Sequence, residues 1–543
     1  LAATLGLAAG VARADEPGKV VQLPPMIVET DGAPLRWRYA SLPGVEILSL
    51  CSEHVTAEFA RQIAATANEL TWMLPVALQG RTSAPTAFLI CDPSLARRLT
   101  EDIPAETLAL KPSAAAGGLW PSFARGHIDV VPNISLHDDD SYGVFALLYG
   151  SAEDLRAHPL MATPDNVLQL MARRSPPLPA WFVRGFLYLY GEATLVPRAD
   201  TSSIWLDVRA ALAAEASGPK EFVLQPFVWV SPSLTRLLRQ FQPKTPQLLP
   251  ISEIVVAPRK LSGLPPDEAA VYRQKWICEA ALLLRWAFEG GQPRREALEK
   301  FVDASSRRPA DEAMFRDCFG LGFGQADAEL GGYLPRAING SLALSGDDPA
   351  PRRVDVRAAT DSEVARIKGE WERLEAPFVR QSYPALAEVY FQLSRRTLWR
   401  AYGGGDRDPQ LLASMGLWEC DTHDDLAALP LLEAAVRGGT LRPRACYELA
   451  RILWEQALRA NAGAAPSPAA AQAALEPLEC ARALQPALPR ASELAAAIWL
   501  GQAAAPSAEQ LAGLEAEARR FPRDDALQQT TAALAARVRA AAR

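Results

Sequence analysis

Hydrolytic chemistry needs a few side chains held together, and histidine is the first to look for. The chain has five: His54, His127, His137, His158 and His423. A zinc site built on a helix takes two imidazoles at i and i+4, where both reach one ion from the same face, with a carboxylate between them to polarise the bound water. No two of these histidines stand at i, i+3 or i+4. His137 opens the run Asp138-Asp139-Asp140, whose oxygens could hold a hard cation loosely. The run lacks the alternating ligands and turn glycine of a calcium loop, so a solvated acidic turn is the simpler reading. No Gly-x-Ser-x-Gly elbow or phosphate loop occurs, and "AYGGGDRDP" at 401 to 409 reads as a turn between helices with no strand before it. Two carboxylates, Asp165 and Glu192, could do acid–base work without a metal. Nothing in their spacing selects them, and Glu192 reads equally as a charge at a helix end.

These residues must be positioned by the elements around them. The short apolar runs "VEILSLC" at 45 to 51 and "TAFLIC" at 86 to 91 read as buried strands, joined by a helix on which Phe59, Ile63, Ala67, Leu70 and Leu74 share one face. A further strand is expected at "HIDVVP", 127 to 132, and a helix around "DNVLQLMARR", 165 to 174, stopping before Pro176 and Pro177. The segment "LPAWFVRGFLYLYGE", 178 to 192, begins the next helix, with Pro179 in its first turn. Further on, Trp276, Ala280, Leu283 and Ala287 mark one buried helix face. "RREALEKFVDASSRRPADEAMFRDCFGL" supplies two more helices and "AELGGYLPRA" closes the unit. The polar stretch at 341 to 362 reads as a linker.

The last third is Ala-rich and helical. Pro409 and Pro443 stand 34 residues apart, the period of tetratricopeptide repeats. Further starts are expected at Pro489 and Pro522, with the low-complexity "NAGAAPSPAAAQAA" as an insert that lengthens one interval. An irregular helical bundle would look similar, since Ala-rich helices broken by proline mimic a period.

Three segments together carry a resemblance: "LPAWFVRGFLYLYGE", "LLPISEIVVAP" at 248 to 258, and "VYRQKWICEAALLLRWAFEGG" followed by "EALEKFVDASSRRPADEAMFRDCFGLG". In order and spacing this framework, over roughly residues 35 to 340, resembles the gluzincin group, specifically the peptidase-MA-like proteins, and a tetratricopeptide-like tail is a common companion. The resemblance implies a zincin-like α+β region, with a small βαβ-containing sheet and a helical subdomain, followed by an all-α repeat domain. It also implies a zinc peptidase, and here the chain departs from the pattern. Where His, Glu and His would stand are Asp165, Asn166 and Gln169, and the third-ligand position holds Arg184. Amides are poor zinc ligands and a guanidinium is a permanent cation, so these are degenerate zinc-site positions, and neither a metal, a catalytic residue nor another cofactor is expected. The expectation is a peptidase-like protein without catalysis that binds a protein or peptide partner through its cleft and repeats. The alternative is a metal-independent hydrolase with a relocated carboxylate site.

The boundaries expected are a signal-peptide remnant at 1 to 14, an extended linker at 15 to 34, a peptidase-like α/β part at 35 to 200, its helical subdomain at 201 to 340, a linker at 341 to 373 and repeats at 374 to 543. The opening "LAATLGLAAGVARADEP" ends its apolar stretch on Ala12-Arg13-Ala14, the small-x-small pattern of a signal-peptidase cut, so an exported protein, periplasmic or extracellular, is expected. A net charge of -7 argues against a nucleic-acid partner, and no other apolar run is long enough to span a membrane. The seven cysteines include no C-x-x-C pair. Export makes Cys278 with Cys318, and Cys51 with Cys91, candidate disulfides, although each can equally be a small buried apolar residue.

Overall fold

The strand–helix–strand expectation is met in the sheet that opens the fold. A computed structural model describes residues 37–74, 78, 82–91, 134–140, 142–148, 176–191, 193–197, 220–224, 227, 248–256, 265–345, 353–382, 384–461, 465–502 and 504–541. Strands β1 (Arg38–Leu42), β2 (Val45–Ser49), β3 (Thr86–Cys91), β4 (Ile134–His137), β5 (Gly143–Leu148) and β9 (Arg357–Ala358) form one mixed sheet in the order β4-β5-β3-β2-β1-β9. The β2, β3 and β5 strands run parallel, with Val45 opposite Thr86 and Ala87 opposite Val144. Helix α1 (Glu53–Met73) makes the crossover between β2 and β3. Its Phe59 and Ile63 cover Ile47, Phe88 and Ile90 on one face of the sheet. The pleat sends alternate residues to the other face. Glu46, next to Ile47, therefore points away from α1 and is met by Arg366 from the helix on the far side.

A second sheet is antiparallel, β6 (Ala193–Pro197), β7 (Lys220–Leu224) and β8 (Leu342–Ser345) in that order. It adjoins a helical core of α2 (Ala180–Gly191), α3 (Ile251–Val255), α4 (Pro266–Glu289), α5 (Gly291–Arg307), α6 (Glu312–Phe319) and α7 (Phe323–Asn339). Phe182, Phe186, Leu283, Phe301 and Phe315 fill that core. Phe301 packs edge-on to Phe315 at 5.2 Å between ring centroids. Asp311 caps α6 by accepting from the Met314 amide at 2.7 Å, and Gly320 ends it at φ 72°, a conformation an L side chain would strain.

The stretch expected as a linker at 341 to 362 is drawn into both sheets. Leu342 pairs with Leu224 in β8 and Arg357 with Tyr39 in β9. The linker then ends inside α8 (Asp361–Ser382), which crosses the face of the first sheet opposite α1. Backbone groups at a sheet edge are satisfied by pairing, and a polar, proline-containing sequence can do this as well as a hydrophobic one.

Beyond α8 the chain is helical: α9 (Pro384–Gly403), α10 (Pro409–Asp421), α11 (Asp425–Arg437), α12 (Pro443–Ala460), α13 (Pro468–Ala483), α14 (Pro489–Gly501), α15 (Ala508–Arg520) and α16 (Asp525–Ala541). Successive helices pack as pairs, α8 with α9, α10 with α11 and α12 with α13. The starts expected at Pro409, Pro443 and Pro489 are each the first helical residue. Two details differ. Pro522 lies in the turn before α16 rather than at a helix start. The low-complexity run, expected as an insert, is helical from Pro468, where it forms the first half of α13, capped by Ser467, whose hydroxyl accepts from the Ala470 amide. Alanine has the highest helix propensity, which decides the matter for such a run.

The cysteine pairs expected as disulfides, Cys278 with Cys318 and Cys51 with Cys91, sit on elements that do not set the two residues of a pair face to face. Cys278 is buried on α4, while α6, carrying Cys318, packs chiefly on α5 and α7. Cys51 and Cys91 do close neighbouring parallel strands, but one residue out of step. Cys51 lies with Phe88 and Ile90 under α1, and the pleat turns Cys91, next to Ile90, to the opposite face.

Candidate functional site

Helix α2 presents one polar position among large apolar ones. Trp181, Phe182, Phe186 and Leu189 are buried against α4, and Arg184 is exposed. The two helices touch backbone to backbone at Gly185, where a Cβ would come within 2.8 Å of the Ala280 carbonyl carbon. Trp181 Nε1 is buried with no hydrogen-bond partner among the described residues. Of the degenerate zinc-site positions only Arg184 is described; Asp165, Asn166 and Gln169, and Glu192 with them, lie outside the described residues. A permanent cation does not fit a metal at the position where the resemblance would place the third ligand. Among the described residues no group of three His, Cys, Asp or Glu side chains converges as a metal site would require.

The strongest electrostatic feature is elsewhere, at the turn after β4. Two of the three acids in the run Asp138-Asp139-Asp140 are not solvated: Asp138 and Asp140 are buried against arginines from α8 and the start of α12. Arg442, at the start of α12, donates from Nη2 to Asp138 at 2.6 Å, from Nε to Asp140 at 2.8 Å and from Nη1 to Glu370 on α8 at 2.8 Å. Arg373 on α8 donates to Asp138, to Asp421 at the end of α10 and, at 2.7 Å, to Glu370. Arg444 completes the set with bonds to Asp138 and Asp421. Arg373 and Arg442 are each only 2% exposed and Asp140 only 1%. Asp139 alone faces outward, bonded at 3.0 Å to Arg490.

Burial would push the carboxyls of this cluster up, but the guanidinium groups outweigh it. Arg373, Arg444 and Arg442 hold Asp138 well below the usual carboxylate range, and Arg373 and Arg442 hold Glu370 at about 2. Neither can shuttle a proton near neutrality, so the cluster is a clamp and not an acid–base pair. The ring of Tyr142 lies under the Arg442 guanidinium at 4.2 Å, and burial keeps its phenol neutral. Beyond it Glu46 takes both terminal nitrogens of Arg366 and the Tyr39 hydroxyl. Glu375, further along α8, is raised to about 8 by burial and by Glu372.

Sequence reasoning missed Glu370, Arg373, Asp421, Arg442 and Arg444. One signal was available: Arg442-Pro443-Arg444 sets two cations at a helix start, where the macrodipole disfavours them. Such a placement calls for a compensating acid from elsewhere in the chain.

Two surface features remain. A cavity of about 330 Å³ is lined by Leu248, Leu249, Pro250, Asp327, Leu330 and Leu334, and Asp327 is engaged there by the Ile251 amide at 2.7 Å. On the helix pair α11–α12, Leu426 is 77% and Leu458 45% exposed. The Asp425–Arg451 ion pair joins the start of α11 to the middle of α12. No helix among the described residues is long and apolar enough to cross a membrane. No protein-family model, curated protein or solved structure matches the chain.

Proposed function

We propose that this chain is an exported, catalytically silent peptidase-like protein, zincin-like in its first part, that binds a protein or peptide partner through tetratricopeptide-like repeats. The observation that carries the binding half is the two exposed leucines, Leu426 and Leu458, on a helix pair whose other large apolar side chains are buried or partly buried. Large apolar side chains left in water beside charged neighbours such as Asp425 and Arg451 suit an anchor for an apolar side chain of a partner. Supporting the silent half, Arg184 occupies the position at which the resemblance calls for a ligand, and the described carboxylates of the charge cluster are held by arginine. Stacked helix pairs are a frequent peptide-binding scaffold.

Selection of displayed random peptides on the full chain, followed by titration, tests the reading. Enriched peptides should carry an apolar anchor and lose about tenfold or more in affinity for Leu426→Glu. That variant keeps its fold, because the side chain is exposed. Peptides that bind wild type and Leu426→Glu equally would place the partner surface elsewhere and overturn the assignment.

A further inference from the structure

Cys446 lies in the first turn of α12 and Cys480 in the last turn of α13, and their Sγ atoms are 2.7 Å apart. That is well inside ordinary sulfur–sulfur contact, although longer than the roughly 2.05 Å of a covalent disulfide. The antiparallel packing of the two helices accounts for the meeting of residues 34 positions apart. Both ends of this hairpin also grip the first sheet. Arg442 and Arg444, just ahead of Cys446, enter the Asp138–Asp140 turn. Gln485, just beyond α13, exchanges hydrogen bonds with Ser83 ahead of β3: Ser83 N to Gln485 O, and Gln485 N to Ser83 Oγ, both at 2.8 Å.

We propose that Cys446 and Cys480 are a thiol–disulfide site that staples these two grips together, so that the redox state of the pair sets how firmly the helix array is held on the sheet. Cys480 is half-buried and Cys446 fully buried, which assigns the order of reaction. The hydrogen bond from Cys446 lowers the Cys480 thiol against the opposing effect of burial, which favours its thiolate as the attacking group. The Cys480 thiolate attacks an external disulfide and expels one of its thiolates. Cys446 sulfur then attacks Cys480 sulfur, expelling the second external thiolate, which takes the Cys446 proton. The external disulfide is thereby reduced to two thiols and the protein pair is oxidised.

The full chain incubated natively with glutathione disulfide, alkylated and digested without reduction should yield a peptide linking 446 to 480. In that oxidised chain, hydrogen exchange at residues 82–84 and 134–140 should be slower than in the reduced chain by about tenfold or more. Alkylation of both thiols, a persistent glutathione adduct on Cys480, or linkage to another cysteine would overturn the assignment of the pair. A 446–480 link that leaves exchange at both grips unchanged would overturn its role as a staple.

Discussion

Asp138→Asn should destabilise the fold by about 3–5 kcal/mol, the range for stranding a buried charge by removing its partner. Asp138 is the acceptor shared by Arg373, Arg442 and Arg444, so a neutral amide would leave three guanidinium groups at the β4 turn short of one negative charge. Its exposed neighbour Asp139, paired among the described residues with Arg490 at the surface, is the internal control, and Asp139→Asn should cost no more than about 1 kcal/mol. Urea unfolding of both variants checks this, read as the midpoint shift at unchanged slope; equal shifts would show that the cluster contributes nothing beyond surface pairing. The same carboxyls set an acid limit. Asp138 and Glu370 have folded values below their unfolded ones, Glu370 at about 2. The unfolded chain therefore binds more protons as the pH drops below the ordinary carboxylate range of about 4. Their contribution is complete above that range and is lost as pH falls toward 2, and Asp138→Asn should flatten this part of the profile.

Gly185→Ala should destabilise although it places the best helix former in a helix. The new Cβ would stand 2.8 Å from the Ala280 carbonyl carbon and 2.9 Å from the Ala281 nitrogen, both backbone atoms of α4 that no rotamer change can move aside. Pushing α2 off α4 would open the aromatic core around Phe182 and Phe186, and overpacking of this kind costs about 1–3 kcal/mol or more. Gly332→Ala on α7 is the counterpart: its Cβ meets nothing within 4 Å, so helix propensity alone acts and stabilises by about 0.5–1 kcal/mol. Thermal unfolding should therefore move in opposite directions for the two variants. A stabilised Gly185→Ala would mean that the two helices are not in backbone contact.

The apolar runs of β2 and β3, the crossover α1, the buried face of α4 and the proline-led starts of α10, α12 and α14 all follow from side-chain periodicity and first-turn chemistry. The interaction that holds sheet and helices together does not, because its partners are Asp138 and Arg442, 304 positions apart, and neither residue's neighbours encode the other. An acidic triplet reads as solvated unless its arginines are known. The stretch from 341 to 362 misled for a related reason: pairing at a sheet edge is made by backbone, so composition says little about it. Cys446 and Cys480 escaped notice because their meeting depends on the packing of α12 on α13, whereas Cys51 and Cys91 looked well placed until the pleat set them on opposite faces.

The proposal of a peptidase-like framework without metal chemistry rests on Arg184, exposed on α2, standing where the resemblance would put the third ligand, and on Asp165, Asn166 and Gln169 standing where it would put the others. Elemental analysis of the purified full chain after dialysis against zinc-containing and then zinc-free buffer tests it most directly. The account predicts zinc far below one ion per chain, unchanged in Asp165→Asn, because one carboxylate does not make a tetrahedral site. About one zinc per chain, lost in Asp165→Asn, would contradict it and make this an unusual metal site instead.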